Sequence, residues 1–300
     1  MILITGSTGH LGTTVIGNLL KNGVPAKNIA ALARNREKAE GLNELGIEIR
    51  FGNYDDYDSL KKAFINVERL LFISGSEVDK RDKQHHNIVK AAVETKVPHI
   101  IYTSFERRND DLNIPIAFVT RTHIETERKI LETGIPYTFL RNALYAEGLP
   151  LFLGDNVIES GVFFPAGDGR VPFTSRLNLA EATANILAGT GHENKSYYMV
   201  NTHNYSFYEI AAILSEITGK TIKYFCPSKE EFTESLRKKC VPEETIKGIV
   251  AWGDGISQGY FESEYSDLEM FLGRKPSDLK TVLSDMYKPV ARETVEKSLM

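Results

Sequence analysis

Three glycines spaced three apart, Gly6, Gly9 and Gly12, follow the apolar run 1–4 and lead directly into a helical pattern that begins near Leu11. Strand, glycine turn and helix in that order are what a diphosphate site requires. Gly6 permits a tight turn, Gly9 lets the backbone close on the anion, and Gly12 lets the helix pack close to the sheet. Thr8, His10 and Leu11 stand where the loop and the helix N-terminus offer N–H donors to an anion. The segment therefore points to a dinucleotide cofactor held by its diphosphate.

About twenty residues further on, such sites carry an acid for the adenosine 2′-hydroxyl or a base for a 2′-phosphate. Here Arg34 holds that place, with Arg36 and Lys38 behind it. An acid would repel a 2′-phosphate, whereas a guanidinium grips it with paired, charge-assisted hydrogen bonds. NADP(H) is accordingly expected over NAD(H), the alternative being that the three cations make only a solvated helix start. Ligands of parallel sheets sit at the carboxyl ends of the strands. Asn53 and Tyr54 are assigned there to the adenine edge, and Ser74, Gly75, Ser76, Thr103 and Ser104 to the ribose and nicotinamide side.

Together these residues resemble the NmrA-like group of atypical short-chain dehydrogenase/reductases, and within it the branch of type 2 quinone reductases and triphenylmethane reductases. The resemblance is carried by segments 5–12, 33–35, 71–74, 101–104, 123–127 and 136–145, with 191–195 and 271–273, and so spans nearly the whole chain. It implies an NAD(P)H-dependent oxidoreductase. The wider superfamily resembles itself in a Tyr-x-x-x-Lys pair on the helix after the fifth strand. With Glu127 set on the glutamate that often follows that lysine by four residues, His123 takes the lysine place and Val119 the tyrosine place.

Valine donates no proton, so alcohol oxidation and sugar epimerisation, which need an acid for an alkoxide, are disfavoured. Direct hydride delivery remains, to an acceptor that delocalises the charge it receives, such as a quinone or a cationic dye. The alternative that the resemblance implies is a redox-sensing regulator that binds NADP(H) without turnover. His123 is the candidate catalytic acid, and reads equally well as a packing histidine; His85 and His86 read as a polar helix face.

A flat aromatic or quinonoid substrate calls for a stacking pocket with few polar anchors. Phe105, Asn142, Tyr145 and Phe152 are the expected contacts, Asn142 and Tyr145 positioning the ring. For Trp252, Tyr260 and Phe261, core packing outweighs a place in that wall.

These residues need a frame to hold them. Strands are expected at 2–5, 29–33, 47–51, 70–74, 99–103 and 137–140, with helices at 11–21, 36–45, 59–64, 80–95 and 117–133 between them. The expectation is an α/β, Rossmann-type, doubly wound parallel sheet. After about residue 149 the alternation fails. Helices follow at 177–187, 207–218, 229–239, 243–258 and 278–286, and strands near 197–200 and 221–225. The expected organisation is an NADP(H)-binding part, 1–150, and a smaller substrate-covering part, 151–300, with about 171–190 returning to the first.

Composition sets the outer bounds. With 42% apolar and 25% charged residues over 300 positions, there is material for a packed core and no sign of extended disorder. A net charge of −4 leaves no cationic surplus for nucleic acid. No apolar run is long enough to span a membrane and no secretory leader is seen, so a cytoplasmic protein is expected, with a homodimer allowed. Its two cysteines, Cys226 and Cys240, show no metal-ligand spacing, and no metal site is expected.

Overall fold

Strands that are apolar on both faces belong inside a sheet covered on both sides. The short runs of the first half meet that condition: all five residues of β2 (Ile29–Ala33) and all six of β5 (Ile100–Phe105) are buried. The computed structural model describes residues 1–288; positions 289–300, the end of the expected second part, lie outside the described residues.

In the first half β1 (Ile2–Ile4), β2, β3 (Glu48–Phe51), β4 (Arg69–Phe72), β5 and β6 (Tyr137–Asn142) alternate with five helices. These are α1 (His10–Lys21), α2 (Glu40–Glu44), α3 (Tyr57–Ala63), α4 (Val78–Glu94) and α5 (Ala117–Glu132). Two single-turn helices follow, α6 (Pro150–Leu153) and α7 (Val157–Ser160), then β7 (Val162–Phe163) and β8 (Arg170–Val171). Next come α8 (Arg176–Ala188), β9 (Lys195–Met199), β10 (Tyr205–Ser206), α9 (Phe207–Thr218) and β11 (Tyr224–Phe225). The described residues end with α10 (Lys229–Lys238), α11 (Glu243–Ser257), α12 (Leu268–Leu272) and α13 (Leu279–Tyr287).

One parallel sheet of seven strands, in the order β3-β2-β1-β4-β5-β6-β9, forms the centre. The fold is the expected Rossmann-type α/β architecture. Its seventh strand comes from the second half, beside β6, where six strands were expected from the first half. Alternate residues along each strand feed two cores. Ile4, Ala31, Leu71 and Ile101 pack with α1 and α8 on one face. Leu3, Leu70, Phe72 and Tyr102 pack with α3, α4 and α5 on the other. A third core, with Phe164, Phe173 and Phe207 at its centre, gathers the second half and takes in Phe105 and Val119 from the first.

The helix expected over 36–45 is broken. Glu37–Ala39 is a 3₁₀ turn, and only Glu40–Glu44 is α-helical, with Gly41 inside it and no side-chain cap at its start. Glycine and a missing cap each weaken a helix by roughly 1 kcal/mol, enough to shorten one this small. The single turns α6, α7 and α12 lack the periodicity that makes a helix visible in sequence.

Candidate functional site

The strand order reverses at β1, so the connections after β1 and β4 leave in opposite directions and open a crevice at the carboxyl edge of the sheet. A cleft of about 530 Å³ lies there. Gly6 turns the chain at φ +59°, and its carbonyl accepts the Gly9 N–H at 3.0 Å. A Cβ at Gly12 would fall 2.4 Å from the Gly6 carbonyl oxygen and 2.8 Å from the Ser7 Cα. The start of α1 is thus pressed onto the loop before it, so Gly12 serves loop–helix contact where helix–sheet packing was expected. Ser7 Oγ donates to the Leu32 carbonyl at 2.7 Å and Thr13 Oγ1 to the Ser7 carbonyl at 2.9 Å, which fixes the turn. No side chain caps α1 and its first turn holds no acid. The first N–H groups of the helix therefore keep their positive end for an anion.

At the far end of the cleft stand Arg34, Asn35 and Lys38, with Tyr54 across from them. No acid ends β2. Glu77, which sequence reasoning missed, comes from the loop after β4 and meets Arg34 at 3.4 Å and Lys80 at 2.9 Å. Arg34 is 67% exposed, so solvent screens this pair and its attraction is weak. Tyr54 Oη donates to the Ile73 carbonyl at 3.0 Å, tying the loop after β3 to the loop after β4. Asn53 shapes that loop from outside the cleft, accepting the Asp55 N–H at 3.1 Å.

Towards the middle of the sheet the loop after β4 is held from beneath. Thr103 Oγ1 accepts the Ser74 N–H at 2.9 Å, and His85 Nε2 accepts the Gly75 N–H at 3.1 Å. Thr126 Oγ1 donates to the Thr122 carbonyl at 2.7 Å and so must receive its 2.8 Å bond from His85 Nδ1. His85 is then neutral, with its proton on Nδ1. Burial, followed by its coupling to His123 and the charge of Arg81, holds its pKa well below the usual histidine value. The expected polar helix face is corrected here: His86 is exposed, but His85 has no exposed surface and braces the cleft loop.

His123 lies on α5 with 5% of its surface exposed; its Nδ1 is 2.8 Å from Tyr102 Oη. Its ring stacks on Phe105 at 5.8 Å and 29°. Burial, then Arg81 and Arg107, pushes its pKa well down, so it is neutral at pH 7. Val119, one turn away, is buried among apolar side chains. Ser104 turns from the cleft to α5, where its hydroxyl donates to Glu127 at 2.5 Å. Burial raises the Glu127 pKa, but Arg107 and Arg141, both within 2.8 Å, outweigh it and keep the group ionised. Asn142 is 3% exposed, and neither Nδ2 nor Oδ1 has a partner. Its polar neighbour is the Tyr145 hydroxyl.

Beyond Phe105 the second half supplies an aromatic wall. Trp252 lies 6.3 Å from Phe105, 5.6 Å from Phe118, 6.0 Å from Phe152 and 5.4 Å from Phe261. Core packing, expected for Trp252, Tyr260 and Phe261, describes all three, and Trp252 also borders Phe105. Tyr145 follows β6, with the Arg176 guanidinium 5.4 Å from its ring centre.

Of the expected cofactor residues, Gly6, Thr8, Gly9, Arg34, Tyr54, Ser74, Gly75 and Ser76 line one cleft. Asn53, Thr103 and Gly12 shape its walls from behind, and Ser104 faces away. Leu11 is buried in the core, while the His10 side chain is exposed. Gly52, Ile73, Glu77 and Gln84 also line the cleft. The first three sit at or just beyond strand ends, which was the available signal; Gln84 had none. Among the described residues no group of His, Cys, Asp or Glu could hold a metal ion, and no helix is long and apolar enough to cross a membrane.

The family described as NmrA-like matches residues 1–287. Quinone oxidoreductase 2 of Escherichia coli (strain K12) is 35% identical over 96% of this chain and 99% of its own length. Among solved structures, the triphenylmethane reductase of Citrobacter sp. complexed with NADP(H) has 41% identity and a TM-score of 0.85, covering 95% of this chain and 99% of that one. The NADPH complex of quinone oxidoreductase QOR2 from Escherichia coli has 34% identity and a TM-score of 0.87, covering 96% and 100%.

Proposed function

The chain belongs to the NmrA-like family, and from that premise we propose that it is an NADPH-dependent reductase passing a hydride directly to a quinone or a similar conjugated, dye-like acceptor. The observation that carries the reading is the absence of a proton relay. Where a tyrosine and a lysine would stand, the chain has Val119, buried among apolar groups, and His123, neutral and bonded to Tyr102. A reaction run by these residues must need no acid in the hydride step. Quinones and triarylmethyl cations meet that condition, and the relatives named above are reductases of those two classes.

NADP(H), when bound, supplies the hydride. In this reading the uncapped start of α1 and the glycine turn hold its diphosphate, and Arg34 and Lys38 take the 2′-phosphate. Thr103 and His85 keep the Ser74–Gly75 backbone from yielding as ligand binds. Phe105, backed by Trp252 and Phe152, offers a flat apolar surface that stacks the acceptor and keeps water away. Asn142 offers one donor and one acceptor to a ring held there, and Tyr145 stands beside it. Cys226 and Cys240 are free and exposed, which suits a reducing compartment, and we place the protein in the cytoplasm.

Purified protein mixed with NADPH and a panel of small quinones and cationic triarylmethane dyes tests the reading through the loss of reduced-nicotinamide absorbance. Turnover is expected. Cofactor binding by calorimetry with no turnover on any acceptor overturns the reductase and leaves a sensor of the NADP(H) state.

A further inference from the structure

We propose that Arg81 is an oxyanion-binding residue at the inner end of the cleft, receiving the negative oxygen that a quinone-type acceptor acquires on reduction; this rests on the reductase reading above. Arg81 lies in the first turn of α4 and is 8% exposed, and its Nε and Nη1 are buried without a hydrogen-bond partner. Buried guanidinium groups are ordinarily paired. Arg107 and Arg141 keep the rule nearby by sharing the Glu127 carboxylate. Among the described residues no carboxylate pairs with Arg81.

Its direction follows from the helix. Gln84 and His85, three and four residues on, share its face; Gln84 lines the cleft and His85 holds the N–H of Gly75, which lines it too. Helical side chains lean toward the N-terminus of their helix, which for α4 is the carboxyl edge of the sheet. Arg81 therefore extends from that face toward the space above Tyr102 and His123. Its charge is felt there: after burial, Arg81 is the largest cause of the lowered His123 pKa.

The two acceptor classes make opposite demands on such a group. A neutral quinone gains the hydride, with the electron pair of the C–H bond broken in the coenzyme, and becomes a hydroquinone monoanion that a proton from water then neutralises. A triarylmethyl cation gains the same hydride and becomes a neutral triarylmethane. A fixed cation lowers the barrier to the first, whereas it repels the cationic ring of the second and disfavours its binding. With Val119 unable to donate and His123 engaged by Tyr102, Arg81 brings to the Tyr102–His123 side of the cleft a charged donor that no carboxylate has claimed among the described residues.

Arg81→Gln and Arg81→Lys test the assignment. The Gln variant is expected to shift the ratio of kcat/KM for a neutral quinone to that for a cationic dye about a hundredfold toward the dye, with NADPH affinity by calorimetry unchanged, and Lys to restore most of the ratio. A second readout needs no turnover. A nitrophenol titrated into the NADP⁺-saturated wild-type protein should bind as its phenolate, its absorbance reporting an ionisation shifted to lower pH; the Gln variant should lose the shift. An unchanged acceptor ratio, a matching loss of NADPH affinity, or no phenolate preference in the wild type overturns the proposal. If the wild type reduces neither acceptor, the reductase reading falls by itself, and the phenolate titration still decides the role of Arg81.

Discussion

At the scale of single residues, we propose that the coenzyme preference rests chiefly on the exposed guanidinium of Arg34. Arg34→Asp should raise the dissociation constant for NADPH about tenfold to a hundredfold, since hydrogen bonds to charged groups contribute about 1.5–3 kcal/mol. NADH, which has no 2′-phosphate, should change by less than about threefold. Calorimetry with both coenzymes checks this, and equal losses would refute the assignment of Arg34. Its place was legible because an arginine stood where β2 ends; Glu77 beside it was not, because nothing local in the sequence says that the loop after β4 reaches that side chain.

His123 shows the reverse. Its position on the helix was legible, but its environment was not, since burial against Tyr102 and Phe105 depends on strands far off in sequence. Being neutral when folded, it should give kcat no inflection near pH 6.5, and His123→Gln should cost less than about tenfold in quinone turnover. The stability consequence has a definite sign. The folded-state pKa is depressed, so the unfolded chain takes up the proton first as pH falls below about 6.5, and stability present above that pH is lost. Replacing His123 with Gln should therefore make the decline of the unfolding free energy below pH 6.5 less steep, read by urea titration. Glu106, its pKa raised to about 7 chiefly by burial, acts oppositely: it stabilises the fold at low pH and ceases to as pH rises from its unfolded value through 7. The comparison is accordingly made between variant and wild type at each pH.

At the scale of elements, the turn between β1 and α1 is both the most legible feature and the least tolerant. Gly12→Ala places a methyl against the Gly6 carbonyl, and overpacking of this kind costs about 1–3 kcal/mol. The relief available is to push α1 off the loop, which spoils the anion site. NADPH affinity should fall at least about tenfold, while Gly17→Ala on the same helix, where the added carbon meets open space, should leave affinity unchanged and serves as the control. The glycine spacing announced this turn because its causes are local. The bracing of the opposite wall by His85 and Thr126 was hidden, since two helices and a loop meet there only after the sheet has formed.

For the whole molecule, we propose that residues 1–150 together with α8 and β9 make up the coenzyme layer and that the remainder covers the acceptor. The periodic first half gave the doubly wound parallel sheet away because each βαβ unit repeats the same alternation; the second half, with aromatic side chains drawn from scattered short elements, follows no period that could be read. Its one tryptophan is a built-in reporter. Trp252 stands 6.3 Å from Phe105, so a quinone stacked there should quench most of its emission in a saturable way. Titration giving only the linear quenching of random collision would place the acceptor elsewhere.

The return of the chain to the sheet has its own consequence. Val15, Ile16 and Leu19 of α1 share a core with Leu179, Ala182 and Ile186 of α8, and β9 seals the edge that β6 would otherwise leave bare. A ribosome must thus release about two thirds of the polypeptide before the glycine turn has its full support. The first half is not a cassette that recombination could lift out at residue 150; it travels with α8 and β9 or not at all.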